Sequence, residues 1–377
     1  MSETALVSSL GVGQQQMVEI AKALRGELSL LILDEPTSAL NDVEIENLMD
    51  TLRDLRSRGV TCIYISHKLN ELFEITDRIT VIRDGKCIGT GDTASLTEDK
   101  IIAMMVGRAP TGRFPPKSRK PGQVVFRVKN WSVKNPENRE KYAVYDASFD
   151  VRAGEILGIA GLMGSGRTEL VQSLFGEYGV EVSGVTEIEG RECQIKSSRD
   201  AIALGVGLVT EDRKNTGLIS IHSVTSNITL PSLPRLSDGP VVNQSLELAS
   251  TAKSVEDLSI RVPSIESTVD TLSGGNQQKV SIAKWLMTNP RILMMDEPTR
   301  GIDVGTKFQI YEIMDRLAAE GMAIIMVSSE LPEILGMSDR ILVMHEGRVA
   351  GILEQAEADA ERVMGLAAMG ARGELVS

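Results

Sequence analysis

Short apolar runs that end in polar residues recur along the chain. Leu30-Leu31-Ile32-Leu33 runs into Asp34-Glu35-Pro36-Thr37, Cys62-Ile63-Tyr64-Ile65 into Ser66-His67, and Ile156-Leu157-Gly158-Ile159-Ala160 into a glycine-rich turn. Runs of this length, without alternation, predict strands of the buried type. Met17–Leu24 and Glu169–Phe175 carry apolar residues at helical spacing with no breaker, and predict helices. Val124–Val128 and Ala147–Val151 alternate instead, which predicts a small antiparallel sheet over 124–155. Asn243–Thr271 is polar, with helical patches and a late Pro263, and predicts a helical insertion.

The pattern repeats itself. Gly13 in Leu10-Gly11-Val12-Gly13-Gln14-Gln15 answers to Gly275 in Leu272-Ser273-Gly274-Gly275-Asn276-Gln277, and Asp34 answers to Asp296 in Met295-Asp296-Glu297-Pro298-Thr299. His67 answers to Ser329 and Asp77 to Asp339, each time 262 positions on. A constant offset over four separate signals is an internal duplication. The glycine-rich turn at Gly161 has no earlier counterpart in this sequence, so the first copy is expected to lack its front portion. The boundaries expected are a partial first domain over 1–107, a linker over 108–123 and a complete second domain over 124–377. Proline, glycine and dispersed basic residues mark the linker, and its charge is read as a solvated face, with a docking role for the basic residues as the alternative.

The candidate chemistry centres on Gly161-Leu162-Met163-Gly164-Ser165-Gly166-Arg167-Thr168. It fits the phosphate-binding loop, with Arg167 where lysine is expected. Glycines let backbone amides approach phosphate oxygens, and the following helix turns its positive end toward the same anion. Thr168 is placed to put its hydroxyl on Mg²⁺, and Glu169 falls in the same helical turn.

Bulk properties narrow the function. A net charge of −12 argues against a nucleic-acid binder, which needs clustered Lys and Arg. The three cysteines, Cys62, Cys87 and Cys193, lie in no paired spacing, so no disulfide framework or zinc site is expected. No apolar run is long enough to cross a bilayer.

Taken in order, the phosphate loop, the two signature stretches (Leu10–Gln16 and Leu272–Gln278), the two Asp-Glu-Pro-Thr motifs and Ser66-His67 resemble an ATP-binding-cassette ATPase. They are most similar to the two-cassette subunits of bacterial sugar importers of the ribose, galactose and xylose type. Asn135-Pro136-Glu137-Asn138-Arg139 looks most like the xylose branch. The resemblance implies an α/β fold of the P-loop NTPase class, with a mostly parallel sheet core and antiparallel and helical subdomains. It implies ATP and Mg²⁺ as ligands, held between the loop of one cassette and the signature of the other. Gly161, Gly164, Ser165, Gly166 and Arg167 would take the phosphates, and Asp296 with Thr168 the metal. Glu297 would orient the attacking water. In the first cassette Asp34 would serve the metal, with Glu35 and His67 catalytic. Leu10, Gly11, Gly13, Gln14, Ser273, Gly274, Gly275 and Gln277 would form the signatures. Implied partners are membrane permease subunits, received on segments from Ile219 to Leu236, and through them a periplasmic sugar-binding protein, at the cytoplasmic face of the membrane. Association with a second copy stays open.

Three positions depart from the family pattern. Arg167 is bulkier than lysine and forked, Glu211 stands where glutamine is usual, and Ser329 where a histidine usually meets the γ-phosphate. Gly11 also replaces the signature serine. These departures predict a chain that binds ATP but hydrolyses it poorly. Two other readings stay open: a nucleotide-binding regulatory protein without turnover, and a two-cassette ATPase outside transport. No aromatic stands out for stacking on adenine; Tyr142, Tyr145 and Trp131 are the candidates, with packing the plainer reading of each.

Overall fold

The computed structural model describes residues 5–7, 10, 12–23, 28–37, 40, 42–66, 68–83, 85–106, 114–117 and 119–369. The chain divides into two compact units, Met1–Pro110 and Thr111–Ser377.

In the first unit, helix α1 (Val12–Ala23) leads to strand β1 (Leu30–Asp34), helix α2 (Asp42–Ser57) and strand β2 (Thr61–Ile65). Helix α3 (Leu69–Ile75), strands β3 (Arg78–Arg83) and β4 (Lys86–Asp92) and helix α4 (Glu98–Val106) follow. β1 and β2 pair in parallel, β3 and β4 antiparallel, as two separate two-stranded sheets. Its core gathers Ile20, Leu31, Leu33, Leu48, Met49, Leu52 and Ile75.

The second unit opens on β5 (Val124–Lys134) and β6 (Tyr142–Arg152), then β7 (Ile156–Gly161) and α5 (Arg167–Leu174). Next come β8 (Val180–Ile188), β9 (Arg191–Cys193), α6 (Ser198–Ala203), β10 (Val206–Val209) and α7 (Val224–Thr229). A short hairpin, β11 (Ser237–Asp238) and β12 (Val241–Val242), precedes α8 (Gln244–Asp257) and α9 (Gly274–Leu286). The chain closes with β13 (Ile292–Asp296), α10 (Val304–Ala319), β14 (Ala323–Val327), α11 (Leu331–Met337), β15 (Arg340–His345), β16 (Arg348–Glu354) and α12 (Ala360–Met369).

Six strands form the central sheet in the order β10-β13-β14-β7-β15-β16, all parallel except the edge strand β16. β13 and β14 are buried along their whole length, as their unbroken apolar sequence requires. The antiparallel sheet is β6-β5-β8-β9. It extends the alternation read over 124–155 by two strands. The helical insertion is realised as α8, started by the Asn243 side chain accepting from the Leu246 amide. Every element from α1 to β4 has a partner from α9 to β16 at the same 262-residue offset. Even a bulge recurs, at Val81/Ile82 and Val343/Met344.

The linker corrects one expectation. Part of it lies outside the described residues, but Phe114, Lys117 and Arg119 are docked, whereas Lys120 stays exposed. Phe114 packs on Gly336, where a Cβ would stand 2.3 Å from its ring, and its ring lies 5.3 Å from that of Tyr311. Arg119 is buried, donating through Nε to Asp339 at 2.8 Å, and also to Asp315 and to the Met337 carbonyl. Lys117 donates to the Ser338 carbonyl, and burial, reinforced by Arg119, lowers its ammonium to about 8 against the pull of Asp339. A planar fork with three separately placed acceptors explains why arginine stands at 119.

Candidate functional site

The glycine-rich turn leaves the centre of the sheet, because β7 lies between β14 and β15. Gly161 ends β7, the tip residues Leu162 and Met163 are exposed, and the Ser165 amide closes the turn on the Leu162 carbonyl at 3.1 Å. Gly164 and Gly166 are left-handed, at φ 76° and 94°. Gly166 caps α5, and a Cβ there would lie 2.7 Å from the Ala143 carbonyl, so no other residue fits. Arg167, Thr168 and Glu169 therefore occupy the first turn of α5, where backbone amides lack helical partners.

Beside them ends β13. Asp296 is fully buried, and the Thr168 hydroxyl beside its carboxylate does not close a well-formed hydrogen bond with it. Burial and the neighbouring Glu297 push it up to about 6, while the Thr168 hydroxyl and Arg167 guanidinium draw it back. An unpaired buried carboxylate is costly. Its natural complement is a cation, and the observation fits Mg²⁺ with Thr168 alongside. Among the described residues no group of three or more His, Cys, Asp and Glu stands ready to hold a metal. An ion there would be shared with phosphate oxygens, as Mg²⁺ usually is.

Glu297 follows in a left-handed conformation, φ 48°, and its counterpart Glu35 does the same at φ 45°. Such backbone is unfavourable for a non-glycine residue and is characteristic of functional sites. In each unit the amide of this glutamate donates to the end of the next strand, Glu297 to Val327 at 2.9 Å and Glu35 to Ile65 at 2.8 Å. Burial raises Glu297 above the ordinary carboxylate range against the opposing Ser329 hydrogen bond and Arg167 charge.

The departures from pattern have definite partners. Arg167 Nη1 donates to the Ser328 carbonyl at 2.8 Å, and Nη2 lies 3.9 Å from Glu297. Ser329 donates to Glu297 at 3.1 Å. Glu211 is paired with Arg300. The cation of the loop is thus turned along the strand ends, and the serine spends its hydroxyl on the carboxylate.

At the signature, the Ser273 side chain caps α9, accepting from the Asn276 amide. Gly275 permits the close approach of α10, since a Cβ would stand 2.5 Å from the Thr306 methyl. Gln277 is buried and donates to the carbonyls of Val269 and Leu272, both at 3.1 Å, so it shapes the signature turn from beneath. The first unit repeats this with Gln15, which donates to the Leu10 carbonyl at 2.8 Å. Gln15, and not the exposed Gln14, is thus the counterpart of Gln277, and only the constant offset could have revealed it. Gly13 lies in the first turn of α1 and Asp34 ends β1. Gly11 and His67 lie outside the described residues. Trp131 is buried against Ser173 (3.0 Å) and is a packing residue. Tyr142 and Tyr145 are half-exposed and edge-on to each other at 4.8 Å, with Arg348 over Tyr145.

A glycine-rich loop at the middle of a parallel sheet, a buried carboxylate beside it and a capped signature helix define an ATP-binding cassette. Residues 144–300 match the family model described as ABC transporter. The chain is 53% identical to the xylose import ATP-binding protein of Thermoanaerobacter pseudethanolicus, over 95% of this chain and 71% of that protein. It is 49% identical to the L-arabinose transport ATP-binding protein of Geobacillus stearothermophilus, over 97% and 72%. A solved nucleotide-free ATP-binding cassette aligns with 68% of the chain at a TM-score of 0.56 and 21% identity, a likeness of fold. The chain belongs to the ABC transporter family of ATPases, in its group of sugar-import ATP-binding proteins, nearest the xylose branch. No helix among the described residues is long and apolar enough to cross a membrane.

Proposed function

We propose that this chain is the energy-coupling, ATP-binding subunit of a monosaccharide importer, with a pentose such as xylose as the cargo class. The observation that carries the reading is Asp296, a carboxylate buried beside the phosphate loop with no well-formed hydrogen bond and only the Thr168 hydroxyl near it. Loop amides and Arg167 bind the triphosphate; Asp296 and Thr168 would hold Mg²⁺, which would supply charge neutralisation on the phosphates. Glu297 accepts the proton of, and orients, the attacking water. Ser273 and Gly274 present a signature to a phosphate loop of another cassette.

The same geometry supports slow turnover in the pocket formed by the loop. Arg167 leans on Ser328 and Glu297, and Ser329 is hydrogen-bonded to the carboxylate that must handle water. This feature also favours the second reading, a nucleotide-binding regulator without turnover. Exposed Ile219, Ile221 and Leu230 lie within the segment where short helices of a permease dock, and a sugar-binding protein acts through that permease. Phosphate release from MgATP by the purified chain tests the enzymatic part. Turnover well below about 1 s⁻¹ is expected, and faster turnover that Glu297→Gln abolishes would refute slow hydrolysis. Co-sedimentation with permease-bearing membranes separates the importer reading from ATPases outside transport.

A further inference from the structure

A buried carboxylate outside the nucleotide pocket links its parts, and it does so in both units. Glu333, on α11, is 1% exposed. It accepts a hydrogen bond from Thr299 at 2.8 Å and another from Ser328. Thr299 follows the Asp296-Glu297 pair by two residues, and Ser328 precedes Ser329. The Ser328 carbonyl is the acceptor of Arg167, and its hydroxyl also receives the Glu330 amide at 3.0 Å. One side chain thus ties the end of β13, the end of β14 and the loop cation together.

The first unit repeats the arrangement residue for residue. Glu71, 3% exposed, accepts from Thr37 at 3.0 Å and from Ser66 at 3.2 Å, and the Lys68 amide donates to Ser66 at 3.0 Å. Two of its surroundings differ. Tyr64 adds a third hydrogen bond at 2.7 Å, and the Lys68 ammonium lies 3.1 Å from Glu71 where the second unit has Glu330. A buried carboxylate with only hydroxyl partners is not a cheap way to fill space. Its recurrence with the same partners points to geometry as its role.

We propose that Glu333 is a positioning residue that fixes Glu297, Ser329 and Arg167 relative to one another, and that Glu71 does the same for Glu35 in the first unit. The inference rests on the nucleotide reading above. The groups it aligns face the terminal phosphate, whereas loop amides hold the inner ones. Glu333 therefore governs discrimination between tri- and diphosphate, not binding as such.

Isothermal titration of the whole chain with Mg²⁺ and either ADP or the non-hydrolysable triphosphate AMP-PNP tests it. Glu333→Ala should reduce the preference for triphosphate about tenfold, the size of one charge-assisted hydrogen bond, with ADP affinity changed less than about twofold. Thr299→Val and Ser328→Ala, each removing one tie, should shift the same ratio part of the way; they decide the matter if Glu333→Ala does not fold. An unchanged ratio in all three, or equal loss of both nucleotides with a lowered Tm, overturns the positioning role. Absence of ADP binding by the unsubstituted chain would instead refute the nucleotide reading itself, and this inference with it.

Discussion

β1–β2 and β13–β14 are copies in different surroundings. β13 and β14 are buried at every position, whereas β1 and β2 alternate, with Leu30, Ile32, Ile63 and Ile65 all exposed. In the second unit β7 stands between β14 and β15, and α5 contacts β7 and β13. In the first unit β2 and β3 belong to separate sheets. In the second unit β7 and α5 have a packing role of their own. They complete the sheet and cover one face of it.

The comparison can be broken at several points. Denaturation should show two transitions, the first unit unfolding at the lower concentration. The largest effect is expected from Arg119→Ala, which removes the buried guanidinium that Asp315 and Asp339 share. It should lower the second transition by about 3–5 kcal/mol and leave the first in place, as read by urea titration. Leu48→Ala, at a fully buried core position of the first unit, should do the reverse, costing about 2–5 kcal/mol in the first transition only.

Asp296→Asn sharpens the comparison by pH. The folded carboxyl titrates near 6, above its ordinary 3.8. Its ionisation therefore costs stability fully above pH 6 and not at all below about 4. The amide should stabilise the nucleotide-free second unit by about 1–3 kcal/mol at pH 7, with the gain gone by pH 4, while abolishing stabilisation by MgATP. A gain that persists at pH 4 in calorimetry would sink this account of the burial cost.

The smallest effect concerns the paired braces. Burial pushes Glu71 up, but hydrogen bonds from Tyr64, Thr37 and Lys68 outweigh it and leave the carboxyl below its ordinary value. Burial raises Glu333, and its hydrogen bonds from Ser328 and Thr299 do not offset that. Lys68→Met should weaken the first unit by roughly 1 kcal/mol or less, since the lysine is partly exposed. Glu330→Lys brings the same cation beside Glu333 but breaks the pair of Glu330 with Lys307, so the second unit should change by less than about 1 kcal/mol near neutral pH.

Much of this was legible in the order of residues. Unbroken apolar runs mark β1, β2 and β7, alternation marks β5 and β6, and the fixed offset marks the duplication. The glycines located the turn after β7 because left-handed backbone at Gly164 and Gly166 tolerates little else. Arg119 was not legible, since its segment has a linker's composition and only the fold brings Asp315 and Asp339 to it. Glu333 and Glu71 were missed for a similar reason. Each is an acidic residue in a short helix, and its burial depends on strand ends far away in sequence. The left-handed backbone of Glu35 and Glu297 has no residue signature at all.

The most direct test of the central claim, that the phosphate loop and buried Asp296 of the second unit form the chain's MgATP site, is calorimetric titration of the intact chain with MgATP. One site per chain is predicted, lost in Asp296→Ala. Two sites, none, or a single site indifferent to that substitution would contradict it.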